Sequence, residues 1–174
     1  GNITVMKSVI TKITIVALFL VAVSVLFITL DQKPHPKVVL TGNEKQIAIN
    51  ILPHAYQCAK CKMEIVDTDF ASQVAKGDGK TLFFDDIGCM AAWLGSHQVG
   101  KEDKIWVYAL DTKRWIDANR AYYTATENTP MHYGFGAYEQ EKPGTISLSE
   151  VIERMRKNEH LANPQYAKKL LKSE

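Results

Sequence analysis

The chain has 174 residues, 46% of them hydrophobic and 23% charged, with a net charge of +2 at neutral pH. Lysines and arginines are scattered rather than striped, so neither a nucleic-acid surface nor a strongly acidic partner is expected. Three cysteines cannot all pair with one another, so at least one thiol is free, metal-bound or paired outside the chain.

Residues 13–30 are apolar or small hydroxyl residues and carry no charge. A run of about 18 such residues is near the lower end of what spans a hydrocarbon core as a helix. Lys7 and Lys12 precede it and Asp31 follows. The positive-inside rule then leaves residues 1–12 in the cytoplasm and puts the remainder outside it. A cleaved signal peptide has a shorter apolar region, about 7–15 residues, followed by a small-residue cleavage site. Here Asp31-Gln32-Lys33-Pro34-His35-Pro36 follows, without an Ala-x-Ala pattern. The expectation is an uncleaved single-pass anchor in the inner membrane with the soluble part in the periplasm. Residues 31–44 read as a linker stiffened by Pro34 and Pro36.

Residues 45–52 alternate enough (Ile47, Ile49, Leu52) to suggest a short strand. Next comes Cys58-Ala59-Lys60-Cys61-Lys62-Met63, the densest cluster of reactive side chains in the chain. Residues 70–76 and 80–84 read as two strands joined by a Gly77-Asp78-Gly79 turn. Asp85 or Asp86 can cap a helix through Met90, Trp93 and Leu94 that stops near Gly95, completing a ββα unit. A similar arrangement recurs: strands at 104–110 and 114–117 around Asp111-Thr112-Lys113, a less regular stretch, a strand at 133–138, and a helix opened by the capping box Ser147-x-x-Glu150. Its apolar residues Leu148, Val151, Ile152 and Met155 share one face. Residues 158–174 form a polar tail, helical after Pro164. The fold class expected is α+β: two small modules, about 45–100 and 101–157, behind an apolar N-terminal helix.

Two cysteines separated by two residues serve redox chemistry, zinc or copper. A thioredoxin-type site belongs at a helix N-terminus in a βαβ pattern, whereas Cys58 and Cys61 precede a hairpin. A structural zinc site needs two further ligands; Cys89 offers one, and His97 lies eight residues beyond it. Cu(I) accepts a small set of soft donors and takes methionine thioethers that zinc rarely uses. Met63 favours it, and Met131, in the turn-rich stretch Thr129-Pro130-Met131-His132-Tyr133-Gly134, is a second thioether able to close the site. The candidate ligands are therefore Cys58, Cys61, Met63 and Met131. His54 and His132 are weaker candidates, Cys89 reads as a buried structural thiol and Met90 as core. His35, His97 and His160 read as surface residues. The pair Asp85-Asp86 is accounted for by helix capping. No catalytic constellation is present, so an enzyme is not expected; the enzymatic alternative is a thiol–disulfide oxidoreductase using Cys58 and Cys61.

These motifs carry a resemblance. Cys58-x-x-Cys61-x-Met63, Gly79-Lys80, Phe84-Asp85-Asp86-Ile87-Gly88-x-Met90, Trp115-Ile116-Asp117-Ala118, Thr129-Pro130-Met131 and Gly134-Phe135-Gly136-Ala137 occur in order over residues 57–155. Together they resemble the NosL family of copper-binding accessory proteins. The resemblance implies a cell-envelope protein that binds Cu(I) and delivers it to a cuproenzyme, with nitrous oxide reductase maturation as the family's association. It also implies a fold of two ββα-type modules related to the organomercurial lyase domain. The chain departs from the family pattern in three places: Lys62 stands where the family has glycine, Cys89 where an acidic residue is common, and an apolar helix where a lipid anchor is usual.

Overall fold

The computed structural model describes residues 2–30 and 35–170, and the chain divides into two units, Gly1–His35 and Pro36–Glu174. In the first, helix α1 runs from Asn2 to Leu30. Its stretch Val5–Leu30, 26 residues, is long and apolar enough to cross a membrane. At 1.5 Å per residue it reaches about 39 Å against a hydrocarbon core of about 30 Å. The helix thus starts earlier than the uncharged run, and Lys7 and Lys12 lie on it, where long stems can carry their ammonium groups to an interface. The hydroxyls of Thr11, Thr14, Ser24 and Thr29 donate to carbonyls three or four residues back, so no hydroxyl among these four is left unpaired. Of the expected linker, residues 31–34, including Pro34, lie outside the described residues.

The second unit is mixed α+β. Strands β1 (Val39–Leu40), β2 (Ser72–Ala75), β3 (Thr81–Phe84), β4 (Lys104–Tyr108) and β5 (Trp115–Asp117) form one antiparallel sheet in the order β1-β3-β2-β4-β5. Both expected hairpins are present, and they share this single sheet through the β2–β4 pairing, Gln73 opposite Trp106 and Val74 opposite Ile105. The sheet also reaches back to Val39 and Leu40, within the stretch read as linker. A second ladder pairs β6 (Tyr122–Thr124) with β7 (Gly136–Tyr138). β6 was not expected from the sequence, and β7 covers only the end of the strand anticipated at 133–138.

Alternation along the strands sorts side chains onto two faces. Val74, Phe84, Ile105 and Val107 face one core, which helices α2 (Ile87–Leu94) and α3 (Leu148–Arg156) cover with Ile87, Met90, Leu148 and Val151. Phe83 points the other way, into a smaller core with Ile51, Ile65 and Ala71, and Tyr56 stacks on it at 3.9 Å between ring centroids. Residues 45–52 form no strand. The Gln73 side-chain amide both donates to and accepts from the Ile49 backbone (2.7 and 2.9 Å), and Trp106 Nε1 donates to the Gln46 carbonyl at 2.9 Å. Side chains on the sheet face thus satisfy this segment, and it lies across the sheet instead of joining it.

Both helix caps follow the sequence. Asp86 caps α2, accepting from Gly88 N at 2.7 Å, and Ser147 caps α3, accepting from Glu150 N at 3.3 Å. Glu150 pairs with Arg154 instead of reaching back to Ser147. Helix α4 (Pro164–Leu170) lies in the tail, and residues 171–174 are outside the described residues. His160, read as a surface residue, is buried edge-on against the Tyr133 ring.

Tyr133 also packs directly on Gly88. A Cβ at Gly88 would come within 2.4 Å of the Tyr133 ring. Gly88→Ala should therefore cost about 1–3 kcal/mol by overpacking, read as a lowered denaturant midpoint with unchanged slope. An unchanged midpoint would show that the loop carrying Tyr133 gives way freely.

Candidate metal centre

The Cys58–Met63 loop is closed by its own backbone. Cys58 N donates to Met63 O at 2.8 Å, and Lys62 N donates to Cys58 O at 3.1 Å. On either side, His54 N donates to Ile65 O and Ile65 N to Tyr56 O, both at 2.9 Å. Lys62 holds the left-handed conformation (φ +68°), the backbone state for which glycine is suited. Its ammonium donates to Ala59 O at 2.7 Å across the turn. The glycine-type turn thus forms despite the lysine. Inside it the Cys61 amide points at Cys58 Sγ, 3.4 Å away.

A further bond positions this loop: Ala59 N donates to Phe83 O at 2.8 Å. β1 pairs with β3 only at Thr81 and Leu82, and Ala59 takes over at the next residue. The cysteines therefore sit where β3 ends and α2 begins. Asp85 and Asp86 occupy that junction and divide its work. Asp86 caps the helix with one oxygen and accepts the Met131 amide with the other at 3.0 Å. Burial raises its pKa against these bonds. Asp85 does not cap. Its Oδ1 accepts from the Cys61 thiol at 3.3 Å, and its Oδ2 is buried with no hydrogen-bond partner among the described residues. Cys89, in the first turn of α2, is fully buried.

The ligand atoms of Cys58, Cys61, Asp85 and Cys89 all lie within 4.8 Å of one another. Cys58, Asp85 and Cys89 are buried and Cys61 is half-buried. The four side chains can hold a metal ion: three soft thiols suit a thiophilic ion, and the unpartnered buried carboxylate oxygen is a polar atom for which a cation would compensate. The three thiols are free. Their electrostatics are uneven. The Cys89 thiol's hydrogen bond lowers the Cys58 pKa to about 7, against the opposing effect of burial. The same bond, with burial, raises Cys89. Burial pushes Cys61 up to about 12.

Of the residues expected from sequence, Cys58 and Cys61 are in this cluster. Met63 lends its carbonyl to the loop, and the residue is 49% exposed. Met131 is half-buried against the core that contains Cys58 and Cys89, brought there by Asp86. His54 is exposed and pairs with Glu64 at 2.8 Å, and His132 is exposed on a left-handed turn residue. Asp85 and Cys89 were read from sequence as a cap and a structural thiol; the structure puts both beside the CxxC pair. A signal for Asp85 existed: of two adjacent aspartates only one can occupy the N-cap. No protein-family model, curated protein or solved structure matches the chain.

The closeness of Cys89 to the Cys58 thiol has a measurable consequence. Metal-free, reduced protein should show one thiolate titrating near neutral pH by ultraviolet absorbance. Cys58→Ser should abolish it. Cys89→Ala, which removes the donor, should move its midpoint upward. A midpoint unaffected by Cys89→Ala would show that the Cys89 thiol does not hold the Cys58 thiolate.

Proposed function

We propose that this chain is a membrane-anchored carrier of Cu(I) that receives the ion on the Cys58, Cys61 and Cys89 sulfurs and passes it to a copper-accepting protein. The observation that carries the proposal is the convergence of three thiols at the β3–α2 junction, two buried and one half-exposed. Thiolates are the donors that Cu(I) prefers, and binding them requires no catalytic step. Chelation by a few donors, one of them at the rim, leaves a route for an acceptor's sulfur or nitrogen to displace them in turn.

Several features support this reading. Cys61 lies at the rim, and the exposed thioether of Met63 is two residues away, a transient ligand for an arriving or departing ion. The loop carrying Met131 is tied to the same junction. The ordered motifs resembling the NosL family point to copper delivery, with nitrous oxide reductase as one candidate client. The apolar helix and the preceding lysines fit an inner-membrane anchor with the thiols in the periplasm. The oxidoreductase alternative is less favoured, because the CxxC pair is not itself part of the first turn of a helix, as a thioredoxin-type pair is, and a third thiol, Cys89, shares its site.

Anaerobic competition of the reduced, full-length protein in detergent against a strong Cu(I) chelator tests the proposal. One Cu(I) per chain should bind. Cys58→Ser, Cys61→Ser and Cys89→Ser should each weaken binding by at least about 10-fold, on the scale of losing a ligand's support. Met63→Ala should weaken it less and slow transfer to an acceptor. Failure to compete, or affinity untouched by Cys89→Ser, would overturn the proposal.

A further inference from the structure

Asp85 is the one member of the cluster that Cu(I) carriage does not use. It is 4% exposed, and its Oδ2 is buried without a partner among the described residues. A buried, unpaired carboxylate oxygen is unfavourable, and native structures rarely tolerate one without a role. It does not cap α2, because Asp86 does. Its Oδ1 is already oriented by the Cys61 thiol.

The geometry points to Asp85 as the fourth ligand of a three-sulfur, one-oxygen site for a borderline divalent ion of the Zn(II) or Co(II) class. This inference rests on the same three-thiol centre proposed above and adds its selectivity. Zinc takes Cys sulfur at about 2.3 Å and carboxylate oxygen at about 2.0–2.2 Å, almost always in a tetrahedron. A tetrahedron with 2.3 Å bonds has donor–donor edges of roughly 3.8 Å. The four donor atoms here lie within 4.8 Å of one another, with Cys61 Sγ and Asp85 Oδ1 3.3 Å apart, so side-chain adjustments on the order of 1 Å bring them to tetrahedral spacing. Carboxylate oxygen is a hard donor with little affinity for Cu(I) but a regular zinc ligand. The same pocket thus has two modes: Cu(I) on sulfur alone with Asp85 standing aside, and a divalent ion drawing Asp85 in. A second cation charge also offsets more of the negative charge that buried thiolates and a carboxylate bring together.

Asp85 follows β3 directly and Cys89 lies four residues on in the first turn of α2. The loop closed by the Cys58–Met63 bonds brings the other two sulfurs to the same point. Two ligands come from one loop and two from one strand–helix junction, the pairing typical of closed four-ligand sites.

Reduced full-length protein, handled anaerobically in detergent, is titrated with Co(II) and, separately, with Cu(I) against a chelator. The expected Co(II) complex shows sulfur-to-cobalt charge transfer and the intense visible bands of a tetrahedral ion, and Zn(II) displaces it. In Asp85→Asn and Asp85→Ala, Co(II) affinity falls by at least about 10-fold and the visible bands shift, while Cu(I) affinity falls by far less. Asp85→Cys restores four donors and raises the charge-transfer intensity above wild type. An unchanged far-ultraviolet circular dichroism spectrum reports that each variant is folded. The inference is overturned if wild type gives no tetrahedral Co(II) spectrum, if both Asp85 variants leave that spectrum unchanged, or if they lose Cu(I) and Co(II) alike. If wild type forms the Co(II) complex and depends on Asp85 but fails to compete for Cu(I), the inference stands and the carrier reading falls.

Discussion

The centre depends on one backbone hydrogen bond, from Ala59 N to Phe83 O at 2.8 Å. β3 is paired on one side by β2 along its length, but on the other side β1 stops after Leu82. The carbonyl of Phe83 would otherwise be an unpaired edge group. By filling that position, the CxxC loop continues the sheet edge and brings Cys58 and Cys61 to the end of the strand that leads into α2. Because Phe83 and Phe84 anchor β3 in opposite cores, the strand has little freedom to shift its register. The loop inherits that rigidity.

The same junction must also support a helix start, and two adjacent aspartates allow it to do both. Asp86 satisfies α2 and the Met131 amide, so Asp85 is free to face the thiols. Packing limits how far this arrangement can relax: Tyr133 lies on Gly88, and His160 lies against Tyr133. Backbone, cap and aromatic contacts thus hold the donors in place. An ion held there would spend little of its binding energy on ordering the chain.

Much of this was legible in the sequence because it rests on local chemistry. The Gly77-Asp78-Gly79 turn, the caps at Asp86 and Ser147 and the 2-then-3.6 periodicity around them all follow from short-range rules, and all appear. The apolar helix was also legible, though the uncharged run at 13–30 left out its first eleven residues. Residues 45–52 misled because alternation reports a half-buried strip, and side chains from Gln73 and Trp106 can satisfy such a strip as well as a neighbouring strand can. β6 was hidden in a stretch without regular alternation; its pairing with β7 is long-range and leaves no local mark. At the centre, the close spacing of Cys58 and Cys61 was enough to single them out. Asp85 and Cys89 each had a sufficient local explanation, and only the tie between Ala59 and Phe83, which no spacing rule encodes, brings them to the cysteine pair.

We propose that this junction is a thiolate metal centre that a soft ion loads. X-ray absorption at the copper edge of anaerobically loaded full-length protein tests it most directly. The account predicts a first shell made of sulfur, with about three scatterers, that loses a sulfur in Cys89→Ser. A shell dominated by nitrogen or oxygen, or one unchanged by Cys89→Ser, would contradict it.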